Sequence, residues 1–238
     1  MNVQDVNERE VRLEENGDML VAIFRKQQKL MEKYHHIEKE YRLTNDCPVN
    51  LHDAKGQLLI KDFAWRITEE LSEAFDALKE EIWAKIDSGP PEPGEIQYEE
   101  LSNRMVHAQE EIADALHFLV EMSILSNIQP GDIVGSIEGD GLDFLFSLYN
   151  QKHLRRRNPA LVWADFQVSL GMVCHTLKNK PWKQTQMMTD IKEYRGRLIE
   201  TFRLFIPIAM SFEMNAEQLY SLYFRKNKVN QFRQRSNY

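Results

Sequence analysis

Apolar residues in this chain recur at steps of three and four over long stretches, and the strict alternation that marks strands is nearly absent. The pattern predicts helices near 18–38, 61–87, 98–127, 141–155, 160–179, 185–211 and 215–234. The breaks between them carry turn chemistry: "NDCPVN", "SGPPEPGE", "NIQPGD", "RRRNPA" and "NKPWKQ". No repeat of fixed period and no long low-complexity tract interrupts the series. The expectation is an all-α multi-helix bundle, with one domain spanning residues 1–238.

Two of these helices carry acids where apolar residues belong. In 61–87 the buried stripe is Ile67, Leu71, Phe75, Leu78 and Ile82. Glu70 lies at its edge, and Glu73 lies one turn further on, flanked by alanines. In 98–127 the main stripe is Ala108, Ile112, Leu116 and Leu119. A second line runs Glu111, Asp114, Phe118, Met122 and Leu125, so two carboxylates occupy the first rungs of an otherwise apolar line. The Gly/Pro-rich "SGPPEPGE" predicts a reversal, making 61–127 an antiparallel hairpin. At about 1.5 Å per residue, Glu73 and Glu111 both stand roughly 20 Å from the turn. The pairs Glu70/Glu73 and Glu111/Asp114 are therefore expected at one level.

Carboxylates that converge in a half-buried place repel one another and need protons or cations. Hard oxygen ligands of this kind suit Mg²⁺, which keeps several waters and takes substrate phosphates as further ligands. A di-iron bundle site would use Glu-x-x-His on two helices, and neither helix has that pair. The competing reading is a solvated acidic face on a non-catalytic helical interaction protein. One Glu-x-x-Glu is ordinarily such a face; two acid pairs at matched height are rarer, and spacing alone leaves both readings open.

Composition narrows the function classes. The chain has 238 residues, 42% hydrophobic and 28% charged, with a net charge of −7. That balance describes a globular protein with a substantial core and argues against a general nucleic-acid binder. No apolar run approaches the roughly 20 residues that span a bilayer, and the charged N-terminal stretch has no signal-like apolar core. Cys47 and Cys174 offer neither a disulfide framework nor metal-ligand spacing, which fits a reducing, cytoplasmic setting. Bases collect at one place: Arg225 to Tyr238 holds five Lys or Arg and no acid, a local site for anions.

At these residues the sequence resembles the all-α nucleoside triphosphate pyrophosphatases (the MazG-like superfamily), and within it the dimeric dUTPase branch. "EELSEAFDAL", preceded by Trp65, looks like the first metal helix of that family. "EEIADALHFL" is similar to the second, and "YFRKNKVNQFRQRSNY" looks like its C-terminal tail. The motif-bearing parts cover about a quarter of the chain.

The resemblance implies hydrolysis of dUTP, and of dUDP, between the α and β phosphates, with a homodimer as the working unit. It implies that Glu70, Glu73, Glu111 and Asp114 hold Mg²⁺ and that Glu70 orients or deprotonates the attacking water. It places His117 and Phe118 in the nucleobase pocket, with a Gln of the first helix, Gln27 or Gln28, beside them. The family's Asn after that Gln is replaced here by Met31 and Glu32, and a Gly before the final Tyr by Asn237. In the tail, Lys226 and Arg233 stand about two turns apart on one face and would hold phosphate oxygens. Asn227 and Asn230 would serve base or sugar, and Tyr238 a phosphate. A dCTP or modified-pyrimidine substrate stays open within the same class.

Overall fold

The computed structural model describes residues 17–37, 43–79, 98–151, 158–180 and 188–235, together with Val3 and Val6. Side chains of 34–37, 98–100, 151 and 233–235 fall outside that description. Eight helices are present among these residues: α1 (Met19–Ile37), α2 (Ala54–Ala77), α3 (Tyr98–Leu125), α4 (Pro130–Val134), α5 (Gly141–Gln151), α6 (Pro159–Thr176), α7 (Ile191–Ser211) and α8 (Ala216–Arg235). The described residues contain no strand, as the periodicity predicts.

Several helices start where a side chain takes the orphan amides of the first turn. Asn158 accepts from Ala160 N ahead of Pro159, and Asp190 accepts from Glu193 N. Asn215 and Gln218 cap one another reciprocally at the start of α8. The caps of α1 and α5 are crossed. Asp18 caps Val21 and also accepts from Gly141 N, while Asp140 caps Leu142 and also accepts from Met19 N. The two helix starts are thereby tied to each other.

Helix α2 packs along α3 and α6 along α7, while α1 and α8 lie against α3. Three contacts fix the α2–α3 register. Arg104 Nε donates to Ala77 O (3.0 Å), Glu70 meets Glu111, and the rings of Phe63 and Phe118 sit edge-on at 6.1 Å. Residue numbers rise on one helix as they fall on the other, so the pair is antiparallel. Ile67, Leu71, Ala74, Ala108, Ile112 and Leu116 are buried between and beneath the two helices.

Helix α2 begins seven residues before its predicted start and ends at Ala77, and positions 80–87 of the predicted span lie outside the described residues. Its first turns escape the periodic reading because a polar residue, Gln57, is fully buried there. Gln57 bonds Leu51 O (2.8 Å), Thr189 Oγ1 (3.0 Å) and Asn179 N (2.8 Å), tying α2 to the connections around α6 and α7. Glu70, rather than Glu73, comes level with Glu111.

Ahead of α2 the chain folds back over its first turn, with Val49 N bonded to Leu125 O (2.9 Å). A Cβ at Gly56 would stand 2.3 Å from the carbonyl oxygen of Asn50. Gly56→Ala is therefore expected to destabilise the protein by about 1–3 kcal/mol through forced displacement of this backbone. A thermal melt checks it: an unchanged Tm would show that the loop is not held against α2.

Candidate active site

Glu70 comes from α2, and Glu111 and Asp114, one turn apart, come from α3. One carboxylate oxygen of each lies within 4.8 Å of the other two. Glu111 is nearly buried, and the line it begins continues through Phe118 into the buried Met122 and Leu125. Glu73 is not in this cluster. It stands a turn further along α2, exposed, yet its charge still acts on Glu70. Glu69 and Asp76 are exposed as well.

Some positive charge is already supplied. Lys226 of α8 reaches in, its Nζ 2.6 Å from Asp114 Oδ2 and 3.7 Å from Glu110 Oε2. His107 Nδ1 stands 3.3 Å from Glu111 Oε1. Burial alone would lower the Lys226 ammonium, but the charges of Asp114, Glu111 and Glu110 outweigh it and hold it above the ordinary lysine range. That compensation is incomplete. Burial first, then a hydrogen bond to Glu111 and the charges of Asp114, Glu111 and Glu73, push the Glu70 carboxyl up to about 8. A carboxyl group this reluctant to ionise sits where an added cation would be stabilised. All-oxygen donors with a deficit of positive charge fit Mg²⁺.

A cavity of about 340 Å³ opens beside the acids. Glu70 and Asp114 form one wall, and Gln27, His117, Phe118 and Asn230 line the rest with Arg66 and Glu121. Arg66 lies over the rings of Phe63 and Phe118 at 5.2 and 5.6 Å and is held by Asp62 at 2.9 Å. His117 stacks on Tyr223 with ring centroids 3.9 Å apart. The cavity thus has an acidic end and an aromatic, hydrogen-bonding end.

The described geometry thus joins seven of the residues singled out from sequence: Glu70, Glu111, Asp114, Gln27, His117, Phe118 and Asn230, with Lys226 at the rim. Between the two glutamines of α1, Gln27 is buried in the cavity wall and Gln28 is exposed. Asn227 is buried behind the wall, its Oδ1 accepting from Gln231 at 2.7 Å. Arg233 continues α8, but its side chain lies outside the described residues, as does Tyr238. Sequence reading missed Arg66, Glu121 and Tyr223. The signal was present: each is the helical i±4 neighbour of an identified residue, namely Glu70, His117 and Asn227.

A family model described as dUTPase matches residues 99–238, more than half of the chain. The chain belongs to the dUTPase family. No curated protein and no solved structure gives a match. The dUTPase is accordingly a nucleoside triphosphate pyrophosphohydrolase, a dUTP diphosphatase. The matched region holds Glu111, Asp114, the His117–Phe118 pair and all of α8. Glu70 is contributed from outside it, by the packing of α2.

The crowding of acids has a pH signature in the metal-free dUTPase. Glu70 titrates at about 8 when folded, against an ordinary value near 4.5. Between those values the unfolded chain has released a proton that the native protein keeps, so stability falls as pH rises through this window and levels off above it. Thermal melts in EDTA across that range should show the decline in wild type. Glu70→Gln, which cannot ionise, should flatten it; an equal slope in both proteins would refute the crowding.

Proposed function

We propose that this dUTPase hydrolyses dUTP and dUDP between the α and β phosphates in a Mg²⁺-dependent reaction, as a cytoplasmic homodimer. The observation that carries the reading is the cluster of Glu70, Glu111 and Asp114, two of which share one cavity with His117 and Phe118. Anionic ligands and a base-sized aromatic pocket are adjacent, as a nucleoside triphosphate requires.

Glu70, Glu111 and Asp114 would hold the metal, with Glu73 as a further ligand from the exposed side. Mg²⁺, when bound, supplies charge neutralisation for the triphosphate and lowers the pKa of water. The chain's own groups do the rest. Glu70, ionised when the cation is bound beside it, takes the proton of the attacking water. Phe118 offers its face to the base, and His117 and Asn230 offer polar atoms to its edge. Lys226, paired with Asp114 before substrate arrives, exchanges that partner for a phosphate oxygen. Arg233 and Tyr238 add contacts to the same phosphates. Water attack then yields dUMP and pyrophosphate from dUTP, or dUMP and phosphate from dUDP.

The dimer is supported by large apolar side chains left in solvent. Leu58 and Trp65 stand two turns apart on α2, with Trp65 62% exposed, and Leu161 and Val168 stand two turns apart on α6. Cys47 and Cys174 form no disulfide, which suits a reducing compartment. No helix among the described residues is long and apolar enough to cross a membrane.

A panel of deoxynucleoside triphosphates with Mg²⁺ tests the substrate; dUMP released from dUTP no faster than the corresponding products from dCTP or dTTP would sink the uracil assignment. EDTA should abolish turnover and added Mg²⁺ restore it. Asp114→Asn is expected to lower kcat/KM for dUTP by about 100-fold or more, the scale of losing one electrostatic stabiliser of a transition state. For the dimer, light scattering should give twice the chain mass for wild type and the chain mass for Trp65→Glu. A monomeric wild type would remove the homodimer from the reading.

A further inference from the structure

Glu121 lies one turn beyond His117 on α3, nearly buried, and it has no place in the carboxylate triad. Its Oε2 accepts a 2.9 Å hydrogen bond from Gln27 Nε2. A carboxylate only accepts, so the amide nitrogen of Gln27 must face Glu121 and the amide oxygen must face away. That oxygen stands 2.9 Å from His117 Nδ1 and 2.8 Å from the Tyr223 hydroxyl. Tyr223 donates to it, because burial and the nearby Glu121 charge hold the phenol in its protonated form. His117 Nδ1 must donate too, since one oxygen offers nothing but lone pairs. Burial drives the His117 pKa down to about 3, so the ring carries a single hydrogen. With that hydrogen on Nδ1, Nε2 carries a lone pair. Nε2 is buried on a residue that lines the cavity and makes no hydrogen bond of good geometry, although the Tyr223 backbone also acts on the ring and works against its lowered pKa.

We propose that Glu121 is a positioning residue which, through Gln27, locks His117 in its Nδ1–H tautomer and so makes Nε2 an acceptor for a base bearing a ring N–H. The inference rests on the proposed reading of this cavity as the base site. Uracil carries a hydrogen on N3, where cytosine carries a lone pair. An acceptor at Nε2 completes a bond with the first and sets two lone pairs against each other with the second. The discrimination arises in a residue that need not touch the nucleotide.

The relay can be inverted as a unit. Glu121→Gln keeps the shape and offers an amide donor, which allows Gln27 to turn its oxygen toward position 121. Gln27 Nε2 then donates to His117 Nδ1, moving the ring hydrogen to Nε2. The Tyr223 hydroxyl follows, because the Ile23 carbonyl stands 3.3 Å away as an alternative acceptor. The pocket would then present a donor, the polarity that cytosine N3 accepts.

Long-range proton–nitrogen NMR of the imidazole ring tests this on the full chain, with the His117 signal assigned by its loss in His117→Gln. Wild type should show hydrogen on Nδ1, and Glu121→Gln should show it on Nε2. In parallel, the ratio of kcat/KM for dUTP to that for dCTP should fall by about 10- to 100-fold in Glu121→Gln, the cost of leaving a buried polar group mispaired. An Nε2–H tautomer in wild type overturns the proposal, whatever the activity. An altered tautomer with an unchanged dUTP-to-dCTP ratio overturns the base-reading role. Failure of wild type to hydrolyse dUTP would instead strike the proposed function, while the tautomer measurement still decides whether Glu121 sets the ring.

Discussion

Like-charge crowding between α2 and α3 is the constraint around which this protein is arranged. Three carboxyl groups cannot share so small a space fully ionised without compensation, and yet the antiparallel register brings them there. What holds the register is apolar. Ile67, Leu71 and Ala74 on α2 and Ala108, Ile112 and Leu116 on α3 are buried almost completely. Burying each of the larger aliphatic side chains among them contributes about 1.5–3 kcal/mol, so the seam outweighs the repulsion at its edge. The remaining imbalance is absorbed locally, by a proton held on Glu70 and by the ammonium of Lys226 brought over from α8.

The same helix separates the two kinds of chemistry the enzyme needs. On α3, Asp114 faces the acids and His117 lines the aromatic, hydrogen-bonding end of the cavity, three residues and about 4.5 Å further along. Within one turn the surroundings pass from a place that favours cations to one that keeps imidazole neutral. Charge at one end and directional hydrogen bonds at the other are the two kinds of contact that the proposed nucleotide substrate calls for. Helices α1 and α8 complete the second half by lending Gln27 and Tyr223, and the crossed Asp18 and Asp140 caps hold α1 in place for it.

Much of this was legible from residue order. Periodicity located seven of the eight described helices, and the height of two acid pairs on either side of a Gly/Pro-rich break pointed to Glu70, Glu111 and Asp114. The spacing found Glu70 although the family match begins only at residue 99. Failures have physical causes. Helix α4 has five residues, too few to show a period, and only its Gln129–Asp132 capping box marks it. The first turns of α2 hide behind the buried Gln57. Glu73, expected level with Glu111, stands exposed one turn from the cluster, and Glu70 takes the place beside Glu111. Arg66, Glu121 and Tyr223 were passed over because each looks ordinary alone; their roles depend on side chains from other helices.

The relay joining Gln27, His117 and Tyr223 also has a consequence in time. Gln27 and Tyr223 are 196 residues apart in the chain, and Lys226 follows Tyr223 by less than one turn. A ribosome lays down α2 and α3 long before it reaches α8. During that interval the nascent hairpin has its acids but neither the lysine that partly neutralises them nor the ring that backs the imidazole. The proposed nucleotide site is therefore assembled only once α8 has docked on α1 and α3.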